Sequence, residues 1–208
     1  MANLNQPTGL SPLRRLTGGG VQNTNLYYIP STDSTYQYNI GDAVVAVSGG
    51  DANGIPQIGK GINAGAYTST IRGVIVGFLL TPPSNSTLQG LVLDNTITYA
   101  PQTKAHDYYA LVCDDPDMLY TIQGDGLTGT SAVAAACNKL AAITVANPTT
   151  PGMLSATVLT ESTISATFSN TNLRIIGLYQ APNNAYGAYA RWVVKINALD
   201  FANGGAGA

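Results

Sequence analysis

The stretch from Asp107 to Asp125, D-Y-Y-A-L-V-C-D-D-P-D-M-L-Y-T-I-Q-G-D, decides how this chain folds. Two short apolar runs, Tyr108 to Cys113 and Met118 to Gln123, flank the tetrapeptide Asp114-Asp115-Pro116-Asp117. Pro116 fixes its own φ and disfavours helix at the residue before it, while aspartate side chains can accept a bond from the backbone two residues on. The pattern predicts a strand, a tight turn and a strand, forming a hairpin-like corner in a β-rich protein.

Working outward, runs of aromatic and β-branched residues predict further strands on both sides of the corner. Tyr36 to Val47 is one such run, with a bulge or bend expected at Gly41-Asp42, and Ile71 to Leu80 is an apolar run typical of a core strand. The remaining predicted strands are Thr96 to Tyr99, Ala156 to Leu159, Ile164 to Phe168, Leu173 to Tyr179 and Ala188 to Ile196. Asn183-Asn184 and Gly187 supply the last turn.

The alanine-rich stretch from Thr130 to Ile143 is the best helix candidate, because alanine is the best helix former and Thr130 or Ser131 could cap it. A loop with a short turn lying on the sheet is the alternative. Eight or nine short strands with regular turn signals predict an all-β fold. We expect a jelly-roll or β-barrel-like body with an extended N-terminal arm and at most one short helix.

The chain divides into three predicted segments. Residues 1 to 26 carry prolines and a Gly-Gly-Gly run without periodicity, so we expect an extended arm that is ordered only where it lies on a partner. Residues 27 to 199 form a single β domain, and residues 200 to 208 a flexible C-terminal tail. With 208 residues, the chain is long enough to bury one substantial core.

Composition excludes several classes of protein. Charged residues make up only 10% of the chain and the formal net charge is -2, while 45% of residues are hydrophobic, which argues against general disorder. Nine lysines and arginines are too few for a nucleic-acid partner, with Arg14-Arg15 the one basic pair. The start resembles no signal peptide and no apolar run is long enough for a membrane span, so we expect a soluble protein made in a cytoplasm.

No motif for catalysis, metal binding or cofactor binding is complete. The aspartates of the corner lack the alternating ligand spacing of an EF-hand, and Gly54 to Lys60 has P-loop spacing but is followed by Gly61 instead of Ser or Thr. The single histidine, His106, has no serine elbow to work with, and Cys113 lies in an apolar strand. Cys113 and Cys137 are predicted to be reduced thiols, with a single bridge left open. We therefore expect no cofactor, no metal and no enzyme activity.

The twelve tyrosines suit contact surfaces, because each combines a large ring with a polar tip. Adjacent residues on a strand point to opposite faces, so at least one ring of Tyr27-Tyr28 and one of Tyr108-Tyr109 should face outward. The predicted contact residues, toward a capsid or another subunit, are Arg14, Arg15, Tyr27, Tyr28, Tyr108, Tyr109, Asp114, Asp115 and Asp117.

The second half of the chain resembles tailed-bacteriophage capsid decoration proteins, also called cement proteins. An acidic corner before a strand ending in Gln, as in Asp114 to Gln123, is similar to theirs. So is Leu173 to Asn197, an L-R-I strand followed by a P-x-N turn and a terminal strand ending in I-N. The resemblance covers roughly residues 70 to 197 and departs from the family after Gln123, where Gly-Asp-Gly-Leu replaces more acidic residues. It implies no catalytic residues.

The resemblance implies a non-enzymatic virion protein on the capsid exterior that stabilises the expanded shell. Its expected partners are the major capsid protein and itself, as a homotrimer, with no direct contact to nucleic acid or membrane. Synthesis would take place in the cytoplasm of the bacterial host. The alternative is a β-sandwich adhesin or carbohydrate-binding module of a phage head or tail fibre, with exposed Tyr27 or Tyr108 stacking on sugars. A hydrolase on a β scaffold is a third hypothesis.

Overall fold

The computed structural model describes residues 3–18, 23–60, 70–79, 97–126, 134–148, 154–166 and 172–197. Within these residues the fold is all β, as predicted, with thirteen strands and one 3₁₀ turn at Ala134–Ala136. The strands are β1 Ser11–Arg15, β2 Thr24–Ile29, β3 Tyr38–Asn39, β4 Ala43–Gly50, β5 Pro56–Gly59, β6 Gly73–Leu79, β7 Tyr99–Ala100, β8 Tyr108–Cys113, β9 Met118–Gln123, β10 Leu140–Thr144, β11 Val158–Ser165, β12 Leu173–Leu178 and β13 Arg191–Ile196. No helix in the described part of the chain could span a membrane.

Two large sheets make up the body. Five strands close into a barrel in the order β2-β5-β4-β6-β8, and six strands form an antiparallel sheet in the order β1-β9-β13-β12-β10-β11. Within the barrel only β2 and β5 run parallel. A small third sheet pairs β3 with β7. Of the two predicted body shapes, the barrel is the one observed.

The acidic corner joins the two large sheets. Strand β8, which precedes it, pairs with β2 and β6 in the barrel, whereas β9, which follows it, pairs with β1 and β13 in the six-stranded sheet. The predicted strand, turn and strand are therefore confirmed, but the two strands do not form a hairpin with each other. The turn redirects the chain from one sheet to the other.

Two hydrophobic clusters hold the body together. The larger one packs the inner face of the six-stranded sheet, with Trp192 and Tyr120 at 0% exposure, against barrel residues such as Val74 and Cys113. The second fills the barrel interior around Tyr38, Phe78 and their smaller or partly buried neighbours. Because the larger cluster contains residues from both sheets, barrel and sheet share one continuous core.

The predicted helix at residues 130 to 143 is wrong where the structure describes it. Only Ala134–Ala136 form a 3₁₀ turn, and Leu140–Thr144 form strand β10 between β11 and β12. The first four residues of β10 are all buried, so packing inside the sheet overrides the helix propensity of alanine. Residues 130 to 133 lie outside the described part of the chain.

Most other predicted strands are confirmed within a few residues. The bend at Gly41-Asp42 separates β3 from β4, and Ile71 to Leu80 contains the buried strand β6. The strands predicted at residues 156 to 159 and 164 to 168 are one strand, β11. The predicted tail, residues 200 to 208, lies outside the described residues.

The N-terminal segment is part of the body, which corrects the prediction of an arm that needs a partner. Strand β1 pairs with β9, and the side chain of Leu10 is fully buried in the larger cluster. The backbone N–H of Gln6 donates to Oε1 of Gln123 over 2.9 Å. The predicted boundary at residue 26 also falls inside β2. Of the leucines in this segment, Leu10 packs into the shared cluster, whereas Leu4, Leu13 and Leu16 stay exposed.

Two glycines let this segment cross the bend that follows β3. The N–H of Leu10 donates to the carbonyl of Gly41 over 2.9 Å. Gly9 and Gly41 have φ values of +67° and +93°, in the left-handed region. A Cβ on Gly41 would lie 2.3 Å from the carbonyl oxygen of Thr8, and a Cβ on Gly9 2.3 Å from the carbonyl oxygen of Gly41. Only glycine allows the two backbones to approach this closely.

We predict that Gly41→Ala lowers the free energy of unfolding by about 2 to 4 kcal/mol, because it adds a backbone clash to the left-handed strain. Gly54→Ala is the matched control, since Gly54 has φ +83° but nothing within 4 Å of the position that a Cβ would take. Its cost should be only about 1 kcal/mol. Urea denaturation of both variants measures the difference; equal costs would show that the close crossing contributes nothing.

Candidate functional site

The turn of the acidic corner is formed by its own aspartates. Oδ1 of Asp115 accepts the backbone N–H of Asp117 over 2.9 Å, and the carbonyl of Asp115 accepts the N–H of Met118 over 3.2 Å. The carbonyl of Asp117 accepts the N–H of Leu16, just after β1, over 2.7 Å. This is the local aspartate bonding that the sequence predicts, and it also ties the corner to the N-terminal segment.

Asp114 holds the barrel side of the corner. Its carboxylate accepts two hydrogen bonds from Nδ2 of Asn25, at 3.0 and 2.9 Å, and one from the hydroxyl of Tyr27 at 2.7 Å. Burial raises the pKa of Tyr27, and the hydrogen bond to Asp114 raises it further, so the hydroxyl stays protonated as a donor. Asp114 itself is only 5% exposed. Its partners are both on β2, so this carboxylate stabilises the barrel.

Asp115 holds the sheet side of the corner. Nε of Arg15 lies 2.7 Å from its Oδ2, at ion-pair distance, although neither atom has hydrogen-bond geometry to a partner. The side chain of Asp115 is 2% exposed and that of Arg15 is 34% exposed. Asp117 forms a longer and more exposed pair, with Nζ of Lys195 on β13 at 3.3 Å. Each corner aspartate therefore has a partner within the same chain.

These contacts change the role of three predicted contact residues, Asp114, Asp115 and Arg15. Asp114 and Asp115 are buried and paired internally, so their carboxylates do not face a partner protein. Arg15 also serves the internal pair. Only Asp117 keeps substantial exposure, with its side chain 43% accessible. The acidic motif is mainly a device of the fold, because two adjacent carboxylates on opposite sides of a strand end hold two different sheets.

The predicted tyrosine contacts are mostly buried. The rings do alternate: Tyr27 and Tyr108 point into the barrel cluster, while Tyr28 and Tyr109 lie on the outer barrel wall. However, Tyr27, Tyr108 and Tyr109 are between 4% and 8% exposed, because other side chains cover both faces of these strands. Only Tyr28 remains half-buried. The expectation that one ring of each pair faces outward therefore holds for both pairs, but the outward ring is half-buried in Tyr28 and buried in Tyr109.

The outer-wall tyrosines bind two aspartates of the barrel loops. Tyr28 donates to Asp107 over 3.1 Å and Tyr109 donates to Asp51 over 3.0 Å, with the two ring centroids 5.8 Å apart. Oδ1 of Asp107 also accepts the N–H of Ser31 over 2.7 Å. This backbone bond is the main reason that the pKa of Asp107 is lowered from its ordinary value.

The residues that sequence analysis considered for chemistry lie in different environments. Lys60, from the sequence with P-loop spacing, has a side chain only 1% exposed. His106 is exposed and stacks on Tyr108 at 4.8 Å between centroids. Cys113 and Cys137 are free thiols, and burial raises the pKa of Cys113. Within the described ranges no three His, Cys, Asp or Glu side chains are close enough to hold a metal ion together.

Strand β1 and the residue that follows it place exposed apolar and basic side chains side by side. Strand β1 is an outer strand of the six-stranded sheet with a bulge near Leu13, and the sequence Leu13-Arg14-Arg15-Leu16 runs along it and one residue beyond its end. Leu13 and Leu16 are 37% and 52% exposed, and Arg14 is exposed as well. Sequence analysis selected the arginines and missed the leucines. The L-R-R-L pattern is visible in the sequence, but an edge strand with a bulge has no regular alternation of side chains that would predict which residues are exposed.

A groove runs beside β1 across the outer face of the six-stranded sheet. It consists of two adjoining depressions of about 520 and 300 Å³ that share Ile176. We call this groove, with Leu13, Arg14 and Leu16 along its β1 side, the docking surface. Its residues are Leu13, Arg14, Leu16, Pro116, Asp117, Arg174, Ile176, Gly177, Leu178, Tyr179, Gln180, Val193, Lys195, Ile196 and Asn197.

The docking surface contains three positively charged residues and one aspartate, Asp117, which pairs with Lys195. Arg14, Arg174 and Lys195 line it, out of nine lysines and arginines in all. Lys60 and Lys104, by contrast, are buried at 1% and 7% exposure. An apolar floor with a cationic rim and an open strand edge is suited to contact another protein surface, with the edge offering backbone hydrogen bonds.

Comparison with known proteins gives no relative. No protein-family model, no curated protein and no solved structure matches this chain at a significant level.

We predict opposite behaviour for the two neighbouring arginines of β1. Arg15→Ala leaves the buried carboxylate of Asp115 without its counter-ion, so it should lower the free energy of unfolding by about 1 to 2 kcal/mol, a value reduced by the partial exposure of Arg15. Arg14→Ala is the matched control and should change stability by less than about 0.5 kcal/mol. Equal effects in chemical denaturation would contradict the assignment of Arg15 to the corner.

A second prediction concerns acid stability. Because the folded-state pKa of Asp107 lies below its unfolded value, its contribution is fully present above the unfolded pKa of about 3.9 and is lost as the pH falls through the folded pKa. Asp107→Asn should therefore lower Tm at neutral pH, and the gap to the unchanged chain should shrink below about pH 4. Thermal melts across this range give the answer; a gap that stays constant with pH would contradict it.

Proposed function

We propose that this chain is a non-enzymatic structural protein of a tailed-phage particle, which binds the exterior of the capsid and stabilises the expanded shell. The observation that carries the proposal is the docking surface, where exposed Leu13 and Leu16 flank Arg14 on an open strand edge. Elsewhere the surface has little charge to direct a specific contact, since only 10% of residues are charged.

The physical basis of such a function is linkage. A protein that binds only the assembled, expanded shell shifts the equilibrium toward that form by mass action, and needs no chemistry to do so. A body in which barrel and sheet share one core transmits load between neighbouring capsomers without deforming, because close-packed interiors have low compressibility. An exposed arginine with apolar side chains on both sides can anchor a repeated interface, because arginine is enriched at interface hot spots.

The sequence resemblance supports the proposal mainly because its two motifs shape the fold, and less because they supply contact residues. Its first motif, Asp114 to Gln123, includes carboxylates that hold barrel and sheet together inside the chain. Its second, Leu173 to Asn197, includes β12 and β13, which form much of the groove. A homotrimer remains part of the proposal.

The sugar-binding alternative has less support. It depended on outward rings at Tyr27 or Tyr108, and these side chains are 4% and 8% exposed. Stacking on a sugar requires an accessible ring face. We therefore propose only the capsid-binding function.

The test is binding of the purified chain to expanded capsid shells that lack it. Leu13→Ala combined with Arg14→Ala should weaken binding at least about tenfold, because truncation removes an apolar anchor and a charged one from the same strand. The double variant should remain as stable as the unchanged chain. Co-sedimentation with shells over a range of protein concentrations gives the affinity.

The matched control is Val47→Ala. Val47 has the same 37% exposure as Leu13 but lies on β4 of the barrel, outside the docking surface. It should leave binding unchanged. Equal loss in both variants, or no loss in the double variant, would contradict the docking surface, and no binding of the unchanged chain to shells would contradict the function.

A further inference from the structure

A lysine is buried beside the barrel, next to residues that flank the six-stranded sheet. Lys60 follows β5, and its side chain is 1% exposed. Its Nζ lies 2.7 Å from Oδ2 of Asp42, which is 0% exposed. Asp42 in turn accepts hydrogen bonds from the N–H of Asn39 at 2.7 Å and from the hydroxyl of Ser155. A desolvated lysine is a strong nucleophile once it gives up its proton, and a carboxylate lies in place to take it.

An amide lies on the other side of the same nitrogen. Nζ of Lys60 donates to Oδ1 of Asn147 over 3.1 Å and to the carbonyl of Gln37 over 2.9 Å. Asn147 follows β10 of the six-stranded sheet, whereas Lys60 follows β5 of the barrel. The amine, the side-chain carbonyl and the acid are thus held together by the fold, an arrangement that replaces a bimolecular encounter with a positioned one.

We propose that Lys60 and Asn147 join spontaneously in an isopeptide bond, with Asp42 as the acid–base residue. Asp42 takes one proton from the ammonium, and the freed lone pair of Nζ attacks Cγ of Asn147. The bond between Nζ and Cγ forms, and the bond between Cγ and Nδ2 breaks. Of the three ammonium protons, one stays on the new amide and two leave with the NH₂ group as an ammonium ion, so no oxidant, metal or cofactor is consumed.

The surroundings favour each step. Burial is the main influence on the pKa of Asp42 and raises it, which favours the protonated carboxyl that results when Asp42 takes a proton. Asn147 is an exposed residue, so the ammonia released from it has a way out to solvent. The new bond would connect the barrel to the sheet covalently, at a point separate from the acidic corner.

The sequence excludes the usual competing loss of ammonia at this position. Asparagine commonly loses ammonia when the N–H of the following residue attacks its side chain, but Asn147 is followed by Pro148, which has no N–H. Loss of ammonia that maps to Asn147 therefore requires a different nucleophile.

The experiment is intact-mass spectrometry of the full, purified chain under denaturing conditions. The proposal predicts a mass about 17 Da below the value calculated from the sequence, the loss of one ammonia. Trypsin should leave the bond after Lys60 uncut and release a branched peptide that joins residues 16–72 to residues 140–174, as the positions of lysine and arginine require. An intact mass equal to the calculated one would overturn the proposal.

Two variants locate the bond. Asn147→Ala should restore the full calculated mass and normal cleavage after Lys60. Because the residue is exposed and Lys60 keeps Asp42 and the Gln37 carbonyl, this variant retains the buried ion pair. Asn53→Ala, which alters an exposed asparagine in a barrel loop, should keep the mass deficit. A deficit that persists in Asn147→Ala would assign the ammonia loss elsewhere and overturn the proposal.

Discussion

The rest of the structure depends on two adjacent buried carboxylates that face in different directions. Asp114 binds Asn25 and Tyr27 of the barrel strand β2, while Asp115 pairs with Arg15 of the sheet strand β1. Buried carboxylates without partners are costly, so each one selects the strand that can satisfy it. Because β8 ends and β9 begins at this point, residues Asp114 to Asp117 determine where the barrel ends and the sheet begins.

Features that depend on nearby residues were predicted better than those that depend on distant parts of the chain. The corner, the bend at Gly41 and the buried strand β6 follow from turn chemistry and apolar runs, which act over a few residues, and each is present. Strand β1 and strand β10 were missed for a common reason. Strand β1 has no clear alternation of apolar and polar residues, and β10 is rich in alanine, which favours helix. Each becomes a strand by pairing with strands far away in sequence.

The candidate site was predicted less well, because residue type does not reveal exposure. Tyrosines and aspartates were selected as contacts, but Tyr27 donates to Asp114 and Tyr109 donates to Asp51 inside the chain. Asp115 pairs with Arg15. Arg14 and Arg15 are indistinguishable in sequence, yet only Arg15 reaches a buried carboxylate. In a chain with so few charges, several join elements of the fold, as Asp114, Asp115 and Arg15 do, while Arg14, Arg174 and Lys195 line one groove.

The proposed capsid function is tested most directly by the number of copies of this chain in purified virions, measured by quantitative mass spectrometry against the major capsid protein. Decoration of the whole shell predicts a copy number equal to that of the capsid protein or a simple fraction of it, as symmetric assembly requires. A handful of copies per particle, typical of a tail or fibre component, or absence from the virion would contradict it.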